Sequence, residues 1–315
     1  MAVGAVFSVP AMADTTLYGN FRGSFNTGDL NAATAGDVAF VNNASRLGIK
    51  GASGSGGLKG IYHLQMGANN DAGGAALSSR FYFMGLKGGF GKVILGRLST
   101  PYKMAGVKQD PFYDTSAGPA NGGSNYGYSS LNNGFTDNTI AYYSPKIGGG
   151  LSIHASISID DAATDDHDYG VGVEWGNKTS KIGVSYLQLD ATPVIGANGG
   201  AESAVRLYGS TKIGGIGIGA SYESVDTGAA DNITFMHLNG SYKASPALKL
   251  ALAYGKVSDG AAGAGRNSTG DGISVGAFYN ILKNTSVSLI YSNTDYDDNT
   301  VADRKGVALG FVQKF

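Results

Sequence analysis

Arg22, Arg46 and Arg80 each stand in an alternating stretch of the chain. Arg22 shares parity with Tyr18, Asn20 and Ser24, against Leu17, Phe21 and Phe25. Arg46 goes with Gly48 and Lys50, against Leu47 and Ile49; Arg80 goes with Tyr82 and Met84, against Phe81 and Phe83. A guanidinium stays charged and only donates hydrogen bonds. Its chemistry is therefore electrostatic: it holds an anion or sets a field. Two acids that could answer it, Asp110 and Asp114, flank Pro111, Phe112 and Tyr113.

Side chains capable of covalent chemistry are poorly placed. Gly272-Ile273-Ser274-Val275-Gly276 has the spacing of a nucleophile elbow. That motif needs a sharp strand-to-helix turn, and this one sits inside an alternating stretch. His63, His154, His167 and His237 show no paired ligand spacing, and no phosphate- or dinucleotide-binding loop precedes a helix. Neither a metal nor a cofactor is implied. Asp160, Asp161, Asp165 and Asp166, with Asp295, Asp297 and Asp298, could bind divalent cations that bridge lipopolysaccharide. A solvated acidic loop surface is the simpler account of them.

The elements that position these groups are strands. In 151–160, Leu151, Ile153, Ala155, Ile157 and Ile159 fall on one parity, and Ser152, His154, Ser156, Ser158 and Asp160 on the other. A period of two places the sets on opposite faces of a strand, whereas a helix would scatter both. The pattern recurs in about sixteen segments of roughly 8–12 residues, the length a tilted strand needs to cross a bilayer. No helix is predicted. Short connections (53–57, 88–90, 147–150, 177–178, 214–215, 245–246, 283–284) alternate with long ones (27–41, 69–77, 99–134, 160–167, 191–201, 227–231, 259–269, 297–303).

One face is apolar throughout; the other carries Arg, Lys, Glu, His and Gly. A dry sandwich core would not receive those groups. A membrane barrel does, with lipid outside and water inside, and closure satisfies the backbone in the hydrocarbon. At this strand number the lumen holds water. Aromatics near segment ends, among them Phe81, Phe83, Trp175, Tyr222 and Tyr279, read as interfacial girdles where they share the lipid parity.

Composition agrees. The 315 residues include 51 glycines, 18 tyrosines, 13 phenylalanines and no cysteine, with only 15% charged residues and a net charge of −1. No disulfide framework or thiolate metal site is possible. A near-neutral chain lacks the cationic footprint of a nucleic-acid binder. No apolar run reaches the 18 or more residues of a membrane helix. Residues 1–13, MAVGAVFSVPAMA, read as an export signal shortened at its N-terminus, with Ala11-Met12-Ala13 as the cleavage site. The barrel is then 14–315.

Taken in order, TLYGNFRG (16–23), SRLGIKG (45–51), SRFYFMGLKG (79–88), FGKVILGR (90–97) and the terminal GFVQKF (310–315) resemble the Gram-negative general porins. The resemblance implies a sixteen-stranded, trimeric outer-membrane barrel whose third long loop, here 99–134, folds inward and narrows the channel. Unstructured loops of such length are usually functional. It further implies a basic wall at Arg22, Arg46, Arg80 and Arg97, with Asp110 and Asp114 as the acidic side on the loop. Arg97 shares parity with Val93 and Leu95, which fits a role at the loop base. A basic residue common on the sixth strand is replaced by Thr136, Asp137 and Asn138. Phe311 and Phe315 resemble the signal read by the barrel-assembly machinery, although Gln313 is less apolar than that signal prefers.

Acid on one side and guanidinium on the other would set a field across a wet, low-dielectric-walled constriction. The function so implied is passive diffusion of ions and small hydrophilic solutes, slightly favouring anions, through a homotrimer in contact with outer-membrane lipid and lipopolysaccharide. A substrate-selective channel for anionic nutrients or sugars is the alternative, but inward Tyr18, Tyr82 and Tyr208 are too few for an aromatic slide. An outer-membrane enzyme or adhesin barrel is the third.

Overall fold

The computed structural model describes residues 14–30, 38–69, 77–117, 126–132, 135–159, 167–190, 200–260 and 267–315. The leader-like residues 1–13 and the loop acids Asp160, Asp161, Asp165 and Asp166 lie outside them.

Alternation becomes extended chain almost everywhere it was read. The strands are β1 (Asp14–Asn26), β2 (Ala39–Asn42), β3 (Arg46–Ser55), β4 (Leu58–Ala68), β5 (Leu77–Gly88), β6 (Gly91–Leu98), β7 (Thr136–Tyr143), β8 (Leu151–Ile159) and β9 (His167–Gly176). They continue as β10 (Ser180–Gln188), β11 (Ser203–Ile213), β12 (Ile216–Asp226), β13 (Ile233–Lys243), β14 (Leu248–Ser258), β15 (Gly270–Leu282), β16 (Thr285–Tyr296) and β17 (Arg304–Lys314). Sequence neighbours pair antiparallel, except that β2 and β3 both pair with β1, and β1 pairs with β17, so the sheet closes without an edge. An open edge in hydrocarbon would leave backbone groups unpaired at several kcal/mol each.

The first predicted long connection is shorter than expected, because the chain returns to the wall at Ala39. β2 pairs with the loop-side half of β1, from Asn26↔Ala39 to Gly23↔Asn42, and β3 with the other half, from Asn20↔Arg46 to Asp14↔Ala52. The two pieces occupy one strand position, so seventeen segments make a sixteen-stranded barrel. At the break, Ala44 takes φ 62. The Ser45 hydroxyl accepts from the Arg22 amide at 2.8 Å and donates to its carbonyl at 2.8 Å, replacing the ladder bonds lost there.

Outward side chains are those the pattern assigned to lipid on most strands: Leu17, Phe21 and Phe25 on β1, Val171, Val173 and Trp175 on β9, Leu250 and Leu252 on β14 are all exposed. β5 departs. Gln65 pairs with Phe81 and Met66 with Ser79, so Arg80 is an extra, bulged residue. A bulge inserts one residue and resets the parity beyond it. Phe81 and Phe83 therefore face inward, packing on the cluster of Ile94, Leu98 and Ala141, while Tyr82 and Met84 face lipid at 65% and 61% exposure. The inward tyrosines expected at 18, 82 and 208 reduce to Tyr18 and Tyr208, and Phe81 and Phe83 leave the girdle.

Two further buried apolar clusters lie where the third long loop meets the inner wall. Tyr102, Tyr126 and Leu131 of the loop pack with Leu187, Ala204, Val225, Phe235 and Val257 of the wall. Phe112 and Ala117 pack with Ala251, Ala253, Ile290 and Ala308. The third loop is thus folded into the pore.

Candidate functional site

The inward loop begins with a helix that the alternation analysis did not anticipate, α1 (Pro101–Gly106). Its local signal is present: Thr100 caps it, accepting from the Lys103 amide at 3.3 Å, and proline opens its first turn. A 3-10 turn, Val107–Gln109, follows. Asp110 then turns the chain by accepting from the Phe112 amide at 2.9 Å. The backbone of the returning arm comes so near the wall that a Cβ on Gly255 would lie 1.6 Å from the Tyr126 carbonyl oxygen. Only glycine fits there.

The loop is pinned to β11 and β12 by a network without exposed surface. Arg206 and Glu223 are registered partners across that hairpin, with Nη2 to Oε1 at 2.7 Å. The same Oε1 accepts from the Tyr102 hydroxyl at 2.7 Å and the Ser129 hydroxyl at 2.8 Å. Arg206 Nη1 donates to the Tyr102 carbonyl at 2.9 Å, and the guanidinium stands 4.3 Å from the Tyr102 ring centroid. Burial, reinforced by the Glu223 charge, pushes the Tyr102 hydroxyl well above the usual tyrosine range. It therefore stays a donor, as the network requires. Neither Arg206 nor Glu223 was singled out from sequence, yet both were reachable. They are equidistant from the Gly214-Gly215 turn, which fixes the hairpin register.

Asp110 belongs to a second wall contact. Its side chain is fully buried, 3.9 Å from His237 Nε2. The His237 ring lies tilted against Tyr128 with centroids 4.3 Å apart, and its Nδ1 lies 3.0 Å from the Tyr126 carbonyl. This carboxylate faces the wall rather than open water.

Asp114 is brought to the arginines. It is ion-paired with Arg46, and Arg22 Nη1 lies 3.8 Å from the same carboxylate and 3.2 Å from the Asp114 carbonyl. Beside it, Ser116 bonds Ser24 at 2.6 Å and Asn26 at 3.0 Å. The loop tip is therefore fastened to β1 and β3, on the same side as the guanidinia. Arg80 also reaches the lumen, through its bulge rather than by plain alternation. Its Nε donates to Gln65 at 2.8 Å, and its guanidinium stands 4.7 Å from the Phe135 ring. Arg97 pairs with Asp137 at 2.5 Å, near the start of β7, and so sits at the loop base.

Lys108, on the 3-10 turn, projects into open lumen. Burial by the surrounding wall lowers its pKa from the ordinary lysine value; Lys181 and Arg46 act the same way, and Asp114 opposes them. Among the described residues no cluster of His, Asp or Glu could hold a metal. Ser274 lies in the middle of β15, bonded to Ser292 at 2.6 Å, not on an elbow. Phe311 and Phe315 are outward and exposed, and Phe315 closes the barrel seam through two backbone bonds to Gly19, at 3.1 and 3.2 Å.

Comparison with known proteins follows the same line. A family model described as Gram-negative porin matches residues 1–299. The major outer membrane protein P.IB of Neisseria gonorrhoeae is 35% identical over 111 residues, 33% of this chain and 32% of its own length. That of Neisseria meningitidis serogroup B is 37% identical over 110 residues, 32% of this chain and 33% of its own. The aligned stretch thus spans about a third of these curated relatives. Among solved structures, an anion-selective porin from Comamonas acidovorans superposes with a TM-score of 0.80 at 21% identity, covering 96% of this chain and all of that one. The Salmonella typhi OmpF complex with daunomycin superposes at 0.72 and 16% identity, covering 96% and 97%. At such identities the likeness is one of fold.

Proposed function

The chain belongs to the Gram-negative porin family, and from that premise we propose that it is a water-filled outer-membrane channel for passive diffusion of ions and small hydrophilic solutes, with anions favoured. The observation that carries this reading is the inward loop. It crosses a closed barrel and leaves a cavity of about 1000 Å³ lined by lysines. Fixed charge in a low-dielectric-walled pore biases which ions enter. Arg80, which among the described residues has no carboxylate in direct contact, adds to the cationic lining, while Arg22 and Arg46 share the charge of Asp114. The selectivity of the Comamonas neighbour supports the same sign.

In this reading the chain acts by diffusion and not as an enzyme. It works as a homotrimer in lipid and lipopolysaccharide, after export through 1–13 and insertion by the barrel-assembly machinery acting on the strand that ends in Phe311 and Phe315. Arg22, Arg46 and Arg80 form the basic wall, with Arg97 at the loop base beside Asp137; of the loop acids Asp110 and Asp114, Asp114 is the one at the constriction.

Liposome swelling with sugars of graded size, with reversal potentials in a KCl gradient, tests the reading. Swelling that falls with solute size, and an anion-directed potential, are expected. Saturation by a single solute would favour a substrate-selective channel instead, and no swelling at all would reject a diffusion pore.

A further inference from the structure

The turn end of the lumen, which in an outer-membrane barrel faces the periplasm, carries a charge arrangement that the constriction does not account for. The cavity between the inward loop and the wall is lined by Lys108, Lys146, Lys178, Lys181, Lys212 and Lys249. Its carboxylates are Asp110 and Glu174. Asp110 is turned into the wall toward His237, with no exposed side-chain surface. Glu174 is held by Lys181 at 2.9 Å and Lys146 at 3.6 Å. Among the described residues, Lys108, Lys178, Lys212 and Lys249 make no ion pair.

The opposite wall repeats the arrangement. Lys59 pairs in register with Lys87, and Lys87 with Lys92, across β4, β5 and β6 on the inward face. Like charges directly opposite on one face destabilise a sheet, unless something negative lies between or over them. The acids of the described strand ends cluster elsewhere. Asp168, Asp190, Asp226, Asp271 and Asp295 all stand at the ends that carry the long loops. At the described strand ends lysines thus predominate at the turn end and acids at the loop end, with Asp14 an acid at the turn end and Arg304 and Lys305 bases at the loop end.

We propose that the turn-end vestibule is a binding site for compact multivalent oxyanions, polyphosphate or polycarboxylate in class, with Lys108 brought to it by the inward loop. The inference deepens the anion-favouring reading of the pore and rests on it. A chloride carries the charge to neutralise one ammonium and is too small to span separated ones. A multivalent oxyanion bridges several, and lysine, a compact charge on a flexible stem, adapts to such bridging more readily than a pinned guanidinium. The arginines at the constriction are partly committed to Asp114, and Lys146 and Lys181 to Glu174; Lys108, Lys178 and Lys212 are exposed to the cavity. The volume accommodates the ligand together with much of its hydration.

The test is calorimetric titration of the folded protein in detergent at low ionic strength with inorganic pyrophosphate, and separately with citrate. Saturable binding is expected. The variant Lys108→Gln/Lys178→Gln/Lys212→Gln, whose three sites are exposed, should weaken it at least about ten-fold, while Lys256→Gln/Arg304→Gln/Lys305→Gln, with the same change in net charge at the loop end and outside the cavity, should shift it less than about two-fold. Equal weakening in both variants, or no saturable binding by the wild type, overturns the site. An anion-directed reversal potential without pyrophosphate binding would sink the vestibule and leave the channel reading standing. A cation-directed potential would sink the anion reading itself, whatever the titration shows.

Discussion

Arg46 on β3 is ion-paired with Asp114 on the inward loop, so the acid at the loop tip touches the basic wall instead of facing it across water. With Arg22 3.8 Å from the same carboxylate, one negative charge is shared between two guanidinia. The local field is then that of a net cationic cluster, not of two opposed plates.

Asp114→Asn should release both guanidinia and raise anion preference, visible as a larger anion-directed reversal potential. Loss of the charged bonds should cost about 1–3 kcal/mol in loop docking, read as faster proteolytic cleavage of the loop. Arg46→Ala should move the potential the opposite way. If neither variant shifts it, these residues do not line the conducting path.

Glu223→Gln should be far more damaging than its conservatism implies. It leaves Arg206 buried without a counter-charge, which costs about 3–5 kcal/mol, measurable as a lower midpoint of denaturant unfolding. Arg206→Met with Glu223→Leu should recover much of that loss, because an apolar pair of similar volume has no charge to desolvate. The double variant should still loosen the loop, since Tyr102 and Ser129 both lose their acceptor.

Gly255→Ala should displace the returning arm of the loop, because its Cβ has no room against the Tyr126 carbonyl. A destabilisation of about 1–3 kcal/mol is expected, together with a rise or added noise in single-channel conductance. Wild-type conductance in this variant would show that the arm does not bound the pore.

Anion preference should decline with rising pH before ordinary lysines titrate, at about 10.4. The pKa of Lys108 is lowered, chiefly by burial, so it becomes neutral at lower pH than a free lysine. Its positive charge, and its share of the selectivity, is present below that pKa and lost above it. Reversal potentials across this range should show an early fall in the wild type that Lys108→Gln makes smaller.

Deleting Phe315 removes the seam bonds to Gly19 and the terminal aromatic together. Less folded protein in the outer-membrane fraction is expected. Phe315→Tyr, which keeps both, should restore it; equal yield from the deletion would remove the terminus from the assembly signal.

The barrel itself was legible in the chain. Period-two alternation is a property of neighbouring residues, and lipid on one side with water on the other enforces it along nearly every strand. Arg22 and Arg46 were assigned to the lumen on that ground alone, as were the short turns and long loops. Even the Arg206–Glu223 pair could have been read from its distance to a two-glycine turn.

What parity cannot supply is height along the axis or the path of a loop. The Arg80 bulge adds one residue that no pattern marks, and it turned Phe81, Phe83, Tyr82 and Met84 to the faces opposite those expected. The third loop contacts β1, β11, β12, β13 and β14, strands distant from it in sequence, and the sum of those contacts fixes where its acids point. Alternation therefore determined which side chains meet water, because that is settled between adjacent residues. Only the tertiary structure decided that Asp114 joins the arginines, that Asp110 turns to the wall and that lysines from three strands, two turns and the inward loop converge on one vestibule, because those placements depend on the closure of the whole ring.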